Sequence, residues 1–404
     1  MKRTAILIIL IIALPAMAAN VLRQAREALK KNQNLEQTGQ TLVKESEKDD
    51  QKLATRVECL RLAAECSRKL HADENRKLYL GQKTDTSKFY AHILNMFVRA
   101  RKADSLSRTP DERGRIKPLA AKRVHDFLQP YRQNLLGGGK YLYLKGKMAD
   151  AYPYFNMYVS LAEMPAFAAD SLLKRDTLMS QAAYLAAAAA YASGNDAGLL
   201  RHSELAQQAG MQSHLIQEYV CRTLERNGDS ATQRAALTTG LERYPEHPYF
   251  FSNIVDKMLA HNRPDEALAF VDSMLKLNDS IALRWYARSL VLMRLERDRE
   301  AIDACDACLR LQPDHVDALY NKGIASLNLA VVYAEHACTD ITDPRCLRDR
   351  EIIRSLYTLA KVPMERVRQL APQDTARWAS PLYRIYLHLN MGPQFDEMDR
   401  IVNK

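Results

Sequence analysis

The sequence predicts an all-α protein built as a right-handed solenoid of helix–turn–helix repeats. Small and apolar residues recur with a period of 34 residues, most clearly between residues 248 and 323. No stretch of useful length alternates polar and apolar residues with the period of two that a half-buried strand requires. A fixed period of this size is typical of stacked helix pairs, in which each pair buries its apolar face against the next pair.

The best repeat unit spans residues 282–315 and places small residues at regular positions. Ser289 and Gly323 are one period apart in successive first helices, and Ala267 and Ala301 are one period apart in successive second helices. At a point where two helices come close, a larger side chain would push them apart and leave a gap. We therefore expect these four residues to be buried at helix contacts.

A proline closes this unit and an aromatic residue lies near its beginning. Pro313 is expected to end the second helix, and Trp285 lies three residues after the unit begins. This spacing and these residue types resemble the tetratricopeptide repeat (TPR) family. A unit with the same phase occupies residues 248–281, and weaker ones occupy residues 180–213 and 214–247. The resemblance implies a concave face, made by the first helices, that commonly holds a peptide or a partner helix.

The chain begins with a predicted signal peptide at residues 1–18. A basic start and a short apolar run are followed by Ala16-Met17-Ala18, which predicts cleavage before Ala19. An uncleaved membrane anchor is the alternative, although the apolar run is short for a span. No later stretch is apolar enough to cross a bilayer.

Residues 19–136 are predicted to form an N-terminal helical region of degenerate helix pairs, and residues 137–404 the TPR-like solenoid. Gly137-Gly138-Gly139 is expected to break the helix between them, because glycine is a poor helix former. A separate helical domain that ends near this point is the alternative. The C-terminal residues 394–402 are predicted to form a capping helix.

The solenoid is expected to contain an insertion near residues 330–353. The next closing proline, Pro372, follows Pro313 by 59 residues, which is one period plus 25. The extra residues are expected to lengthen both helices of this repeat. Cys338 and Cys346 flank a turn-rich connection, so they are candidates for a disulfide in an oxidising compartment, and two free thiols are the alternative.

The basic composition does not by itself indicate a nucleic-acid partner. The chain has 58 Lys and Arg residues against 48 Asp and Glu residues, a net charge of +10. The basic residues are spread along the predicted helices, and export separates the protein from most nucleic acid, so we expect no nucleic-acid partner. A basic helical surface is one interpretation of this charge, and association with an acidic partner or an anionic envelope surface is the other.

No catalytic or metal-binding arrangement is recognisable in the sequence. It lacks a Gly-rich phosphate loop, a His-Glu-x-x-His helix and a nucleophile elbow. Cys305 and Cys308 are formally a Cys-x-x-Cys pair, but they fall at repeat positions that are expected to be buried, which favours core packing over redox chemistry. The sequence therefore predicts a non-enzyme with no cofactor and no metal.

The predicted binding residues lie on the first helices of three repeats. They are Tyr249, Asp256, Leu283, Tyr286, Leu290, Tyr320, Asn321 and Ile324. Tyrosines beside apolar residues suit an extended peptide, because a rigid aromatic ring buries a large area at little entropic cost. The alternative is that tyrosine at these positions is ordinary repeat sequence.

Seven Asp-Ser/Thr-aliphatic triplets are more than the roughly one or two that ordinary composition leads us to expect. They begin at Asp104, Asp170, Asp176, Asp229, Asp272, Asp279 and Asp374. The triplets resemble the O-glycosylation acceptor of some Gram-negative bacteria. Helix capping is the alternative, because Asp, Ser and Thr are all preferred at helix starts.

Together these features predict a protein-protein interaction scaffold of the periplasm or cell envelope of a Gram-negative bacterium, with a protein or peptide partner. An envelope component with helical repeats that binds a glycan or a nutrient is the main alternative. An enzyme with its site in the N-terminal helices or near Asp340 is a third hypothesis, which no residue constellation supports.

Overall fold

The computed structural model describes residues 19–210, 212–339 and 342–403. Within these ranges all regular structure is helical and no residue belongs to a strand, so the predicted all-α helical-repeat fold is confirmed. The predicted signal peptide and Asp340 lie outside the described residues. The chain divides into two compact units, the first ending at Asp229 and the second beginning at Ser230. The division predicted at residue 137 stays a prediction.

The first unit is a series of antiparallel helices with a few short 3₁₀ turns. Its helices are α1 (19–31), α2 (Leu35–Ser46), α3 (Leu53–Tyr79), α4 (Thr86–Ser107), α5 (Ala121–Leu128), α6 (Arg132–Leu144), α7 (Met148–Ser160), α8 (Leu172–Arg175), α9 (Met179–Ala192), α10 (Asp196–Ala206) and α11 (Ser213–Arg226). Most consecutive helices pack on each other, and α9 packs on both α7 and α10. The main core contains the fully buried rings of Phe97, Phe155 and Tyr158.

The glycines at 137–139 lie inside α6, so the predicted helix break at this position is wrong. They are needed there because aromatic rings pack directly on the helix backbone. A Cβ atom on Gly138 would lie 2.6 Å from a ring carbon of Tyr154, and one on Gly139 would lie 2.5 Å from a ring carbon of Phe155. Both distances are far shorter than a van der Waals contact. Tertiary packing therefore overrides the low helix propensity of glycine here.

A buried ion pair joins the segment 161–178, which contains the short helix α8, to helices α6 and α7. The carboxylate of Asp176 accepts hydrogen bonds from the hydroxyl of Tyr158 at 2.7 Å and from the backbone N–H of Leu178 at 2.9 Å, and it pairs with the guanidinium of Arg132. The Arg132 guanidinium also lies 4.0 Å from the centroid of the Tyr158 ring. One carboxylate thus connects α6, α7 and the segment that leads into α9.

The second unit consists of helix pairs that follow the predicted repeat. Its helices are α12 (Ser230–Arg243), α13 (Pro248–Ala260), α14 (Pro264–Leu277), α15 (Ala282–Arg294), α16 (Asp298–Leu311), α17 (Val316–Glu335), α18 (Pro344–Leu370), α19 (Thr375–His388) and α20 (Gly392–Val402). Each helix packs on the next one along the chain. Helices α17 and α18 contain 20 and 27 residues, whereas α13 to α16 contain 13 or 14 residues each.

The small repeat residues lie at helix contacts, as expected. Ala267, Ala301 and Ser289 are fully buried. A Cβ atom on Gly323 would lie 2.7 Å from Cγ of Met364, which belongs to α18. These residues let the helices of a pair approach closely, which confirms their predicted packing role.

The turn inside each repeat uses a left-handed residue at the same position. Gly194, Gly228, Asn262 and Glu296 have φ angles of 72°, 74°, 55° and 57°, and each follows the previous one by 34 residues. Glycine and asparagine adopt this conformation readily, whereas glutamate pays a steric cost. The period found in the sequence is therefore also a period of backbone conformation.

Cys346 keeps its thiol, so the predicted disulfide with Cys338 is absent. The Cys346 Sγ instead donates a hydrogen bond to the backbone carbonyl oxygen of Cys338 at 3.1 Å. The backbone N–H of Cys338 donates to a carboxylate oxygen of Asp349 at 2.8 Å, which holds this segment against α18. The geometry at the end of α17 thus directs the Cys346 thiol to the backbone of Cys338.

Cys305 and Cys308 are core residues of α16, as predicted. Both side chains are fully buried. Burial raises the pKa of the Cys305 thiol to about 12 and that of the Cys308 thiol to about 11. Since the thiolate is the reactive form, neither cysteine has the low pKa and exposure of a redox motif.

Candidate partner-binding face

The first helices of the second unit form a layer. Helices α13, α15 and α17 each contact the next first helix, α15, α17 and α19, in addition to the second helix between them. The predicted binding residues come from three members of this layer. We call the solvent-exposed side of α13, α15 and α17 the first-helix face.

Seven of the eight predicted residues are at least partly accessible on this face. Asp256 is exposed, and the six partly exposed residues are Tyr249, Leu283, Tyr286, Leu290, Tyr320 and Ile324. The prediction for Asn321 is wrong, because this side chain is buried. Its Nδ2 donates to Oγ of Ser289 at 3.2 Å, so Asn321 connects α17 to α15 and is not available to a partner.

An open groove runs between α13 and α15. It encloses about 600 Å³ and is lined by Asp256, Leu259, Ala260, Leu290, Met293 and Arg294. The walls are mainly apolar, while Asp256 and Arg294 contribute one charge of each sign. The walls of the groove partly desolvate the Asp256 carboxyl, and this raises its pKa above the ordinary value. The groove can thus accept an apolar side chain and offers both a hydrogen-bond donor and an acceptor beside it.

An aromatic and charged cluster lies next to this groove. The ring of Tyr286 stacks on the ring of His315, with centroids 5.0 Å apart. The guanidinium of Arg377, from α19, lies 4.7 Å from the ring centroid of Tyr320 and pairs with the carboxylate of Asp317. Burial raises the pKa of the Tyr286 hydroxyl, and the negative charge of Asp317 adds to this effect. The cluster holds the two tyrosines in fixed positions on the face.

The sequence contained a signal for some of the site residues that the prediction missed. Asp317 follows Leu283 by one period, and Met293 follows Leu259 by one period, so the repeat could have indicated both. Arg377 carried no such signal, because it lies beyond the enlarged repeat and 60 residues from its partner Asp317. Only the fold brings Arg377 to Tyr320.

The first unit has its own group of aromatic residues on first helices. The rings of Tyr191 and Tyr219 stack in parallel, with centroids 4.0 Å apart. The hydroxyl of Tyr184 donates to the side-chain carbonyl oxygen of Gln212 at 3.1 Å. These two rings cover one face of each other, and both side chains are partly exposed.

In the ranges 19–210, 212–339 and 342–403, no group of three or more His, Cys, Asp or Glu side chains is arranged to hold a metal ion. Among the helices in the described part of the chain, none is both long enough and apolar enough to cross a membrane.

Comparison with known proteins gives similarity of structure only. No family model matches the chain, and no curated protein sequence matches it. The C-terminal part of a TPR repeat-containing protein from Cytophaga hutchinsonii is similar, with 10% identity and a TM-score of 0.41, over 65% of this chain and 92% of that chain. A tetratricopeptide repeat protein from Parabacteroides merdae has 12% identity and a TM-score of 0.35, over 68% of this chain and 100% of that chain.

A third similar structure is that of the TPR2AB domain of yeast Sti1 in complex with pHSP90. It has 15% identity and a TM-score of 0.25, over 80% of this chain and 98% of that chain. The helical-repeat fold that the resemblance to tetratricopeptide repeat proteins implies is seen in the described helices themselves. At these identities the similarity gives no information about the partner.

Proposed function

We propose that the chain is a non-catalytic protein-interaction scaffold of a bacterial cell envelope that binds an extended peptide or a partner helix on the first-helix face. The observation that supports this is the repetition of accessible aromatic and apolar side chains, one repeat apart, on adjacent helices. Tyr286 and Tyr320 are equivalent residues of two repeats, and Asp256, Leu290 and Ile324 are equivalent residues of three. A surface with a regular spacing suits a partner that is itself extended or helical.

The first-helix face is proposed to contact the partner in three ways. An apolar side chain of the partner enters the groove beside Leu290, where burial contributes about 1.5–3 kcal/mol. The rings of Tyr286 and Tyr320 contact the partner on the neighbouring helices. Asp256 and Arg294 are available to hydrogen-bond its main chain. Tyrosine is one of the residues that contribute most at such interfaces.

The double variant Tyr286→Ala/Tyr320→Ala is expected to weaken partner capture at least about tenfold, because two rigid contacts are lost. The measurement is site-specific photo-crosslinking from Leu290 in intact cells, followed by mass-spectrometric quantification of the crosslinked proteins. The matched control is Leu277→Ala/Leu311→Ala. These two residues are also one period apart and are 78% and 45% exposed, but they end the second helices α14 and α16.

Equal capture by the tyrosine variant and the wild type would contradict the proposal, provided that their circular dichroism spectra and melting temperatures agree. If the tyrosine variant is unstable, Leu290→Lys places a charge in the groove without removing a buried ring, and photo-crosslinking from Met293, which also lines the groove, then measures capture. Oligosaccharide binding measured by calorimetry, and lost in the tyrosine variant, would favour the glycan-binding alternative.

The envelope location is part of the proposal and has its own test. The chain purified from the envelope fraction is expected to begin at Ala19, because signal peptidase cleaves after small residues such as Ala16 and Ala18. The variant Ala18→Arg is expected to retain residues 1–18 and to stay bound to the membrane. N-terminal sequencing of both proteins checks this. A wild-type chain that keeps Met1 would contradict cleavage.

A further inference from the structure

The seven Asp-Ser/Thr-aliphatic triplets share one structural property, which is exposure of the hydroxyl residue. Ser105, Ser171, Thr177, Ser230, Ser273, Ser280 and Thr375 are all exposed. They occur in loops, at the first residues of helices and within helices. The shared feature is therefore accessibility and not one kind of local structure.

Helix capping by aspartate does not explain three of these seven triplets. Asp104 and Asp272 lie within α4 and α14, where their carboxylates bind Arg108 and Arg288. Asp374 is the N-cap residue of α19, but its side chain makes no capping hydrogen bond. Asp176 does accept a backbone N–H, that of Leu178, and it also has the structural role described above. Capping thus leaves the triplets at Asp104, Asp272 and Asp374 unexplained.

Two triplets combine an exposed carboxylate with an exposed hydroxyl in a connection between repeats. Asp279 and Ser280 lie between α14 and α15, whereas Asp374 lies between α18 and α19 and Thr375 is the first residue of α19. In both triplets the residue that follows is aliphatic, Ile281 in one of them. An enzyme can bind a triplet in a loop or at a helix start in an extended form more easily than a triplet inside a helix, because fewer helical hydrogen bonds have to break.

We propose that Ser280 and Thr375 are acceptors of an O-linked glycan, and that the transferase recognises the preceding aspartate and the following aliphatic residue. The proposal rests on the export that is part of the proposed function. The triplets that lie within helices, at Ser105 and Ser273, are then poorer acceptors. None of the seven hydroxyl residues belongs to the first-helix face, so bulky glycans leave that face free.

The chemistry requires a sugar that is activated as a glycosyl diphosphate of a lipid or a nucleotide. The hydroxyl oxygen of Ser280 attacks the anomeric carbon and forms a new C–O bond. The bond from that carbon to the diphosphate breaks, and the diphosphate leaves with the electron pair. The hydroxyl proton passes to a base of the transferase.

A glycan fits these positions better than a phosphoryl group does. A phosphorylated serine carries about −1.5 to −2 charges at neutral pH, and beside an aspartate this charge is repelled. A neutral sugar has no such repulsion and makes hydrogen bonds with water at the exposed loop. The carboxylate can then serve recognition without opposing the product.

The test is the intact mass of the full chain purified from its own cells, together with fragmentation of its peptides. We expect the mass to exceed that of the polypeptide by whole multiples of one glycan. Ser280→Ala is expected to remove one increment. Asp279→Asn is expected to remove the same increment although it keeps the hydroxyl, which a merely structural role of Ser280 would not cause.

Ser355→Ala is the matched control. Ser355 is exposed on α18 and its hydroxyl donates to a backbone carbonyl at 2.7 Å, much as Ser273 does at 2.6 Å, but no aspartate precedes it. Removal of the Ser355 hydroxyl is expected to leave the mass increments unchanged.

A wild-type mass equal to that of the bare polypeptide overturns the proposal. Increments that phosphatase removes, or that persist in Ser280→Ala/Thr375→Ala, overturn it as well. The same spectrum shows whether the chain begins at Ala19, which separates a failure of glycosylation from a failure of export.

Discussion

The variant Asp176→Asn is expected to lose about 3–5 kcal/mol of unfolding free energy, because it leaves the buried charge of Arg132 without its partner. The side chain of Arg132 is 7% exposed and that of Asp176 is 12% exposed. The substitution preserves the shape of the side chain, so the loss reports the charge and not a cavity. Urea-induced unfolding of the full chain, followed by circular dichroism, measures it.

This effect is expected to depend on pH with a definite sign. Burial by itself would raise the pKa of the Asp176 carboxyl, but hydrogen bonds from Tyr158, the Leu178 N–H and Arg132 outweigh burial and hold the pKa below its ordinary value. A lowered folded-state pKa gives stability that is present above the unfolded pKa of about 3.9 and is lost as the pH falls through the folded value. The difference between wild type and Asp176→Asn should therefore shrink in acid.

Asp374→Asn is the control for this prediction. Asp374 precedes a hydroxyl residue as Asp176 does, but it is exposed and makes no capping bond, so we expect a change within about 0.5 kcal/mol. The double variant Arg132→Met/Asp176→Leu is expected to be more stable than either single variant, because it leaves no unpaired charge. Equal stability of Asp176→Asn and wild type would show that the ion pair contributes no net stability.

The repeat period predicts a large part of the second unit because packing and backbone geometry follow it. Ala267 and Ala301 are buried where the period places small residues, and the left-handed residues Asn262 and Glu296 also obey it. Position within the repeat therefore decides burial and turn conformation together. Seven of the eight predicted binding residues are accessible for the same reason, since they are one period apart, and their role in binding stays a prediction.

Contacts outside the period could not be predicted from the sequence. Asn321 is next to the accessible Tyr320, but one residue of helix rotation directs it towards Ser289. Arg377 reaches Tyr320 only because the enlarged repeat brings α19 against α17. Residue types alone do not indicate which neighbour such a side chain meets.

In α6, helix propensity and tertiary packing favour different residues at the glycine positions. Gly139→Ala is expected to lower the unfolding free energy by about 1–3 kcal/mol, which is the usual cost of overpacking a core. Helix propensity alone would favour alanine by about 1 kcal/mol. A loss of stability in Gly139→Ala would therefore show that packing against Phe155 outweighs helix propensity at this position. The added Cβ would lie 2.5 Å from Cε1 of Phe155, whose side chain is fully buried, so either the ring or the helix has to shift.

Two further variants separate the steric cause from any other effect of the substitution. Gly392→Ala, at a position where a Cβ meets no atom within 4 Å, is expected to change stability by no more than about 0.5 kcal/mol. In Gly139→Ala/Phe155→Leu the smaller side chain makes room for the new methyl group, so the double variant should lose less than the sum of the two single changes. Urea-induced unfolding of all four variants measures these differences. Strict additivity, or a Gly139→Ala variant more stable than wild type, would mean that α6 and Phe155 are not in the close contact that requires glycine.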